Sequence, residues 1–214
     1  RALRHGEVRV NKKRVKAEYR LLDGDILRIP PIRVQEVQAV VVADKLLEQL
    51  EKQILFENDD LLVIDKPSGL AVHGGSGLDH GLIEAVRKMR PQCRRIELAH
   101  RLDRDTSGCT IIVKKAAVLR AIHQQLREKT MDKTYLALVR GRWARRKTMV
   151  DAPLQKNNLQ SGERVVRVHP EGKTSKTRFG IVETFQGATL ISAMPITGRT
   201  HQIRVHAQHA GFPL

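Results

Sequence analysis

The chemistry-bearing stretch of this chain is Ala99–Cys109, which reads A-H-R-L-D-R-D-T-S-G-C. Within it, His100 to Asp105 packs one histidine, two arginines and two carboxylates into six residues. Apolar runs flank the stretch, Ile96-Glu97-Leu98 on one side and Cys109–Val113 on the other. Charges so dense between strand-like runs are costly to bury unless they pair. Two readings fit. One is a solvated turn closed by local salt bridges, each worth little. The other is a carboxylate held among cations on a loop, where reacting groups are often placed. Charge density alone favours the turn.

Four chemistries compete for these residues. A Ser–His–Asp hydrolase needs a serine on a strained elbow, and Thr106-Ser107-Gly108 does not make the G-x-S-x-G pattern. A metal site would draw on the nine histidines. His201, His206 and His209 lie close in sequence but no acidic residue accompanies them, so satisfied or phosphate-facing histidines are the better reading. A glycosidase-like pair would use Asp103 and Asp105, which share a face on a strand, but a carboxylate beside Arg104 is as readily a paired one. The fourth is a single carboxylate acting on a nucleoside.

Composition bears on the partner. The 214 residues carry 39 Lys and Arg against 23 Asp and Glu, a net charge of +16 spread along the whole length. A folded protein this basic most often meets a polyanion. Aromatic residues are only 3%, too few for a base-stacking sheet of the RNA-recognition-motif kind. The two cysteines, Cys93 and Cys109, form no C-x-x-C pair and support neither a zinc finger nor a disulfide scaffold. No apolar run is long enough to span a bilayer, and a cytoplasmic protein without a membrane partner is expected. The chain lacks an initial Met and stops at Gly-Phe-Pro-Leu, which reads as a fragment truncated at both ends.

The elements that must position the site follow from periodicity. Residues 1–34 form a first, basic unit with ten Lys and Arg against four Asp and Glu. Arg1–Arg9 reads as the end of a helix closed near Gly6. Residues 7–11 and 25–29 alternate as half-buried strands do. Lys12, Lys13 and Arg14 at a strand end suit RNA phosphate. Residues 35–52 read as a linker ending in a short helix. Residues 53–214 form the second unit. It opens on a hairpin of Ile54–Phe56 with Leu61–Ile64, followed by a tight loop at Asp65–Gly69 and a glycine-rich loop at His73–Gly77. That loop is not G-x-G-x-x-G and lacks a P-loop ending, so nucleotide binding is disfavoured. Asp79 is placed to cap a helix running to Arg90. Beyond the charged stretch come a strand at Cys109–Val113, a helix at Ala116–Lys129, and strand-like segments at Asp132–Gly141, 164–168 and 174–194. Gln186-Gly187 supplies a hairpin turn, and a helix starts at His201. The order of elements predicts an α+β fold with a mixed, largely antiparallel sheet flanked by helices.

Two resemblances sharpen this picture. "LRHGEVRVNKKRVKAEYRLLDGDILRI" resembles the second half of the S4 (α-L) RNA-binding domain. "LLVIDKPSGLAVHGGSG", "AHRLDRDTSG", "DKTYLALVRG" and "PITGRTHQIRVHAQHAG" stand in the order and spacing of the motifs of RluA/RluC-type pseudouridine synthases. The pattern is near the RluC subgroup, which modifies uridines in large-subunit ribosomal RNA. The match covers residues 54–214, and the family continues for further strands and a helix past this point.

The resemblance implies the pseudouridine synthase fold, an isomerase activity on 23S ribosomal RNA, no cofactor, no metal and a monomer. It implies that Asp103 is the reacting carboxylate at the ribose. Tyr135 would stack on the uracil and assist the proton at carbon 5. Arg204 would pair with Asp103, Ile203 would line the pocket, and Arg101 would take the place of the flipped base. The alternative from another class is a non-catalytic ribosomal RNA-binding protein, which has no need of Asp103 and its partners.

Overall fold

The computed structural model describes residues 3, 5–16, 18–31, 42–74, 80–158 and 164–214. The chain divides into two units, Arg1–Val40 and Val41–Leu214.

In the first unit β1 (Arg9–Val10) pairs antiparallel with β2 (Lys13–Arg14) and β3 (Leu27–Arg28). Asn11 and Lys12 turn the chain between β1 and β2, both at positive φ, the geometry of a two-residue hairpin. Asn11 suits that turn because its side chain is used twice. Its Nδ2 donates to Asp25 at 2.6 Å, and its Oδ1 accepts the Ile26 N–H at 2.9 Å. Asp25 also accepts from Leu22 N–H and Tyr19 Oη, each at 3.0 Å. These bonds, led by that from Leu22, hold the Asp25 carboxyl below its ordinary range. The helix end expected at Arg1–Arg9 is absent among the described residues. Gly6 turns at φ 68°, bonded to the Leu3 carbonyl, and the chain goes straight into β1.

The second unit holds two four-stranded sheets and a two-stranded ribbon, and every strand pairing among them is antiparallel. The first sheet orders β4 (Ile54–Glu57), β5 (Leu61–Lys66), β7 (Gly108–Val113) and β6 (Glu97–Leu98) side by side. Strand β5 alternates, with Leu62, Ile64 and Lys66 inside. Two short helices join this sheet, α1 (Asp44–Glu51) and α2 (Leu82–Met89). Helix α1 packs on α2, so the helical end of the expected linker belongs to the second unit. Asp79 and most of the glycine-rich loop lie outside the described residues, and Gly81 occupies the N-cap of α2. Helix α3 (Ala116–Glu128) packs Ile122 with Ala99 and Val113.

The second sheet orders β8 (Tyr135–Arg140), β13 (Ala188–Pro195), β12 (Lys176–Phe185) and β9 (Met149–Asp151). Ala137, Val139, Phe179, Ile191 and Ala193 face one core with Trp143, and α4 (Gln202–His209) adds Ala207. Trp143 meets Phe179 and Phe212 with ring centroids 4.8 and 4.9 Å apart. The ribbon pairs β10 (Leu154–Asn158) with β11 (Arg164–Val168).

One ion-pair cluster ties the first sheet to its helices. Arg90, at the end of α2, donates to Glu51 of α1 and Glu57 of β4, each at 2.7 Å, and Lys114 donates to Glu57 at 2.6 Å. The Arg90 bond leads in holding Glu57 down to about 2, from an ordinary 4.5. A depressed carboxyl stabilises the fold fully above its unfolded pKa and loses that contribution as pH falls toward the folded one. Urea unfolding is therefore expected to show stability falling between pH 5 and pH 2. Glu57→Gln should cost about 1–3 kcal/mol at pH 7 and little at pH 2. A cost independent of pH would contradict this role for the cluster.

Candidate active site

The loop between β6 and β7 carries the charged stretch, and its backbone is fixed from several sides. Ala99 N–H bonds the Ile111 carbonyl at 3.0 Å. His100 Nε2 accepts the Ile111 N–H at 3.1 Å, and burial together with the Lys133 charge pushes the His100 pKa down. His100 is therefore a neutral acceptor in the scaffold. His123 Nε2 of α3 lies 3.1 Å from the Ala99 carbonyl. Farther on, Thr106 N–H bonds the Asp103 carbonyl at 3.1 Å and closes a turn. Arg104 Nε bonds Asp105 Oδ1 at 3.0 Å, and this bond leads in lowering the Asp105 pKa, with Arg204 and Lys66 adding their charges. Asp105 is thus the locally paired carboxylate and leaves Asp103 to the cleft.

Lys66 is the largest fully buried side chain in the protein's described part. It ends β5, and its Nζ donates to three carbonyls: Pro67 at 2.9 Å, Leu70 at 2.8 Å and Arg104 at 2.9 Å. An ammonium has three N–H donors, so each is used. Burial lowers its pKa, opposed by the charges of Asp105 and Asp103. Two further bonds staple the same loops. Gly69 N–H donates to the Arg104 carbonyl at 3.0 Å, and Ser68 Oγ to the Asp105 carbonyl at 2.8 Å. Gly69 sits at φ 85°, a conformation glycine adopts without strain. The tight loop after β5 is thereby a clamp on the backbone that carries Asp103.

Asp103 lines a cleft of about 230 Å³. The walls come from separate parts of the second unit. Arg101, Leu102 and Arg104 stand beside it, Val72 and His73 face it from the segment before α2, and Lys156, Val166, Thr200 and His201 complete it. The segment before α2 is held by backbone approach. Leu82 and Ile83 N–H bond the Ala71 and Val72 carbonyls at 2.8 and 3.0 Å. Glu84 accepts Gly74 and Gly81 N–H at 3.0 and 2.9 Å. A Cβ on Gly81 would lie 2.6 Å from the His73 backbone, so no other residue fits there without displacing a cleft wall.

The distant residues singled out in the sequence converge in part. Tyr135, at the head of β8, packs with Ile203 of α4 against the core of the second sheet. Burial first and the Asp103 charge second raise the Tyr135 pKa, which keeps its hydroxyl protonated within electrostatic reach of that carboxylate. Ile203 is engaged in this packing and does not line the cleft around Asp103. The pairing of Arg204 with Asp103 is not formed among the described residues. Arg204 is exposed on α4, and the basic side chain within 4 Å of Asp103 is His201, its Nε2 3.8 Å from Oδ2. His201 holds the N-cap of α4 in the left-handed region at φ 52° and lines the cleft. Sequence spacing gave no sign of that strained conformation, and so missed His201 as a cleft residue. Lys12, Lys13 and Arg14 are exposed at the β1–β2 hairpin of the first unit.

Helix α4 is pinned by a buried polar network. His206 Nδ1 lies 2.9 Å from Thr177 Oγ1, and its Nε2 lies 3.1 Å from Ser175 Oγ and 3.0 Å from the Ala152 carbonyl. Burial pushes its pKa down and keeps it neutral. Both ring nitrogens are occupied, which accounts for His206 without a metal. Gln202 donates to the Lys176 carbonyl at 3.0 Å and to Thr177 Oγ1 at 2.9 Å, while its Oε1 accepts from Thr197 and Arg199.

Asp103 on its clamped loop shares this cleft with Arg101, Arg104, Lys156 and His201, and Tyr135 stands within electrostatic reach of Asp103. The family model for RNA pseudouridylate synthase matches residues 60–209. The chain belongs to this family. It is 60% identical over its whole length to ribosomal large subunit pseudouridine synthase C of Pasteurella multocida, and 58% identical to the protein of that name from Escherichia coli K12. It spans 66% and 68% of those relatives' lengths. Among solved structures it resembles human RNA pseudouridylate synthase domain containing 4, with a TM-score of 0.64, 24% identity, and 79% of this chain and 69% of that one covered. The human domain containing 1 protein aligns with a TM-score of 0.64 and 25% identity, covering 78% and 67%. Helices and antiparallel sheets in this arrangement are the pseudouridine synthase fold, in agreement with the α+β expectation.

The clamp makes a direct prediction. Lys66→Met fills the space but takes the ammonium donor from three carbonyls, of which only that of Arg104 keeps another, the Gly69 N–H, at a cost of about 2–5 kcal/mol by thermal or urea unfolding. Turnover on RNA should fall at least about tenfold, with KM changed less, because the loop carrying Asp103 loses its position. Wild-type turnover by the folded variant would contradict the clamp.

Proposed function

We propose that this chain isomerises specific uridines to pseudouridine in large-subunit, 23S ribosomal RNA. The observation that supports this best is Asp103 at the cleft, with Tyr135 in reach of its charge and His201 at 3.8 Å. The name of its relatives supplies the RNA, and a cytoplasmic location belongs to the same reading.

In this reading the target uridine leaves its stack, at a cost of a few kcal/mol, and enters the cleft. Arg101, exposed at the cleft, fills the gap left in the RNA. Asp103 acts at the ribose as the bond from C1′ to N1 breaks. The freed uracil turns and bonds C1′ through C5, the C5 proton leaves, and N1, which carried no proton while bonded to C1′, takes one up. Atoms balance within one nucleotide, so the reaction is an isomerisation that consumes no co-reactant. Tyr135 offers its ring to the free base, and its protonated hydroxyl suits relay of the C5 proton. His201 stands beside one oxygen of Asp103, its Nε2 3.8 Å away. Arg204 supplies positive charge at the mouth, where its field already acts on Asp105. The first unit, read as a partial S4 module, contributes Lys12, Lys13 and Arg14 to phosphate contact. A monomer without cofactor or metal completes the reading.

Tritium release from ribosomal RNA labelled at uridine C5 tests this. Asp103→Asn keeps shape and removes the charge, and release should fall at least about 100-fold while RNA affinity stays within about threefold. Equal release by the two proteins would remove Asp103 from the chemistry.

A further inference from the structure

A second concavity of about 380 Å³ lies on the far side of the turn at residues 196–201. Ile196 to Arg199 wall this groove, while Thr200 and His201 wall the cleft that holds Asp103. The two depressions therefore share one turn. Lys129, Lys133, Arg178 and Arg199 line the groove against a single carboxylate, Asp132. Among the described residues none of these four cations forms an ion pair with a carboxylate. Four cations gathered in a concavity with one carboxylate leave an excess of positive charge, and an anion placed there relieves the repulsion.

The groove has an apolar floor as well. Leu126 of α3, Met131 and Met194 of β13 line it together with the cations. Thioethers and a leucine offer a polarizable surface for a flat ring. Arg199 is oriented from behind, its Nε donating to the Thr174 carbonyl at 3.2 Å, which turns the rest of the guanidinium to a further partner. Lys129 sits at the C-cap of α3 at φ 58°, where glycine would be unstrained, and so places a cation where the backbone disfavours a side chain.

We propose that this groove is a nucleotide subsite: it takes a single-stranded RNA residue flanking the target uridine, phosphate to the four cations and base on the Met131–Met194 floor. The proposal rests on the reading of the neighbouring cleft as a uridine site. Lys133 joins the two places, since it lines the groove, its charge reaches His100 in the loop of Asp103, and it precedes Tyr135 by two residues. Extruding a base frees its neighbours from the stack, and a groove across one turn from the cleft can hold one of them.

Anisotropy of a fluorescein-labelled decauridylate tests this on the 214-residue chain. Lys129→Ala/Arg178→Ala removes two groove cations. Lys45→Ala/Lys52→Ala removes the same charge at α1, outside the groove. The groove pair should raise Kd at least about tenfold and reduce the log–log salt slope by about 1.4, as loss of two phosphate contacts requires. The α1 pair should change Kd less than about threefold. Equal effects of the two pairs would overturn the site. Inorganic polyphosphate or polyglutamate displacing the probe as well as unlabelled decauridylate does would overturn its assignment to a nucleotide. Tritium release by the wild-type chain reports the parent reading separately: its absence with groove binding intact would sink the uridine site and not this one.

Discussion

The buried ammonium of Lys66 is the constraint on which the site depends. Placing a lysine with no solvent exposure at the end of β5 is costly unless every N–H finds a partner. Three carbonyls supply them, and one belongs to Arg104, next to Asp103. The price of burial is met only when the loop after β5 and the loop before β7 are both in place. The stability of the first sheet and the position of Asp103 are therefore one property.

The second sheet uses the same device in neutral form. His206 fixes α4 to β12 and to the Ala152 carbonyl through both ring nitrogens, and Gln202 binds α4 to Thr177 and to the turn before it. The strained N-cap at His201 projects from this anchored helix. One wall of the cleft is thus held by a charged clamp and the opposite one by a neutral buried network. Both withdraw backbone freedom from residues that wall the cleft, which is how enzymes convert folding energy into orientation.

Much of this was legible in the sequence. The alternation of Tyr135–Arg140, 164–168 and the hairpin around Gln186-Gly187 is realised in β8, β11 and β12–β13, because period-two patterns select a buried face. Strands β9 and β10 were not legible: Met149–Asp151 is too short to show a period, and Leu154–Asn158 is mostly polar. The helix end expected at Arg1–Arg9 falls partly outside the described residues, and left-handed Gly6 turns the chain there ahead of β1. In the site, the Asp103 loop was visible as charge density and as a motif. Lys66 was read only as part of a tight loop, since a lysine in a turn gives no sign of being buried. The His201–Asp103 approach depends on a backbone angle, and the exposed position of Arg204 follows from the orientation of α4, neither of which is written in residue spacing.

The central claim is that the clamped carboxylate converts uridine to pseudouridine within large-subunit RNA. Its most direct measurement is carbodiimide mapping of pseudouridine by primer extension on an unmodified 23S transcript incubated with the 214-residue chain. The account predicts discrete new stops at a few uridines, absent after incubation with Asp103→Asn. No stops with the folded wild-type chain, or the same stops with Asp103→Asn, would contradict it.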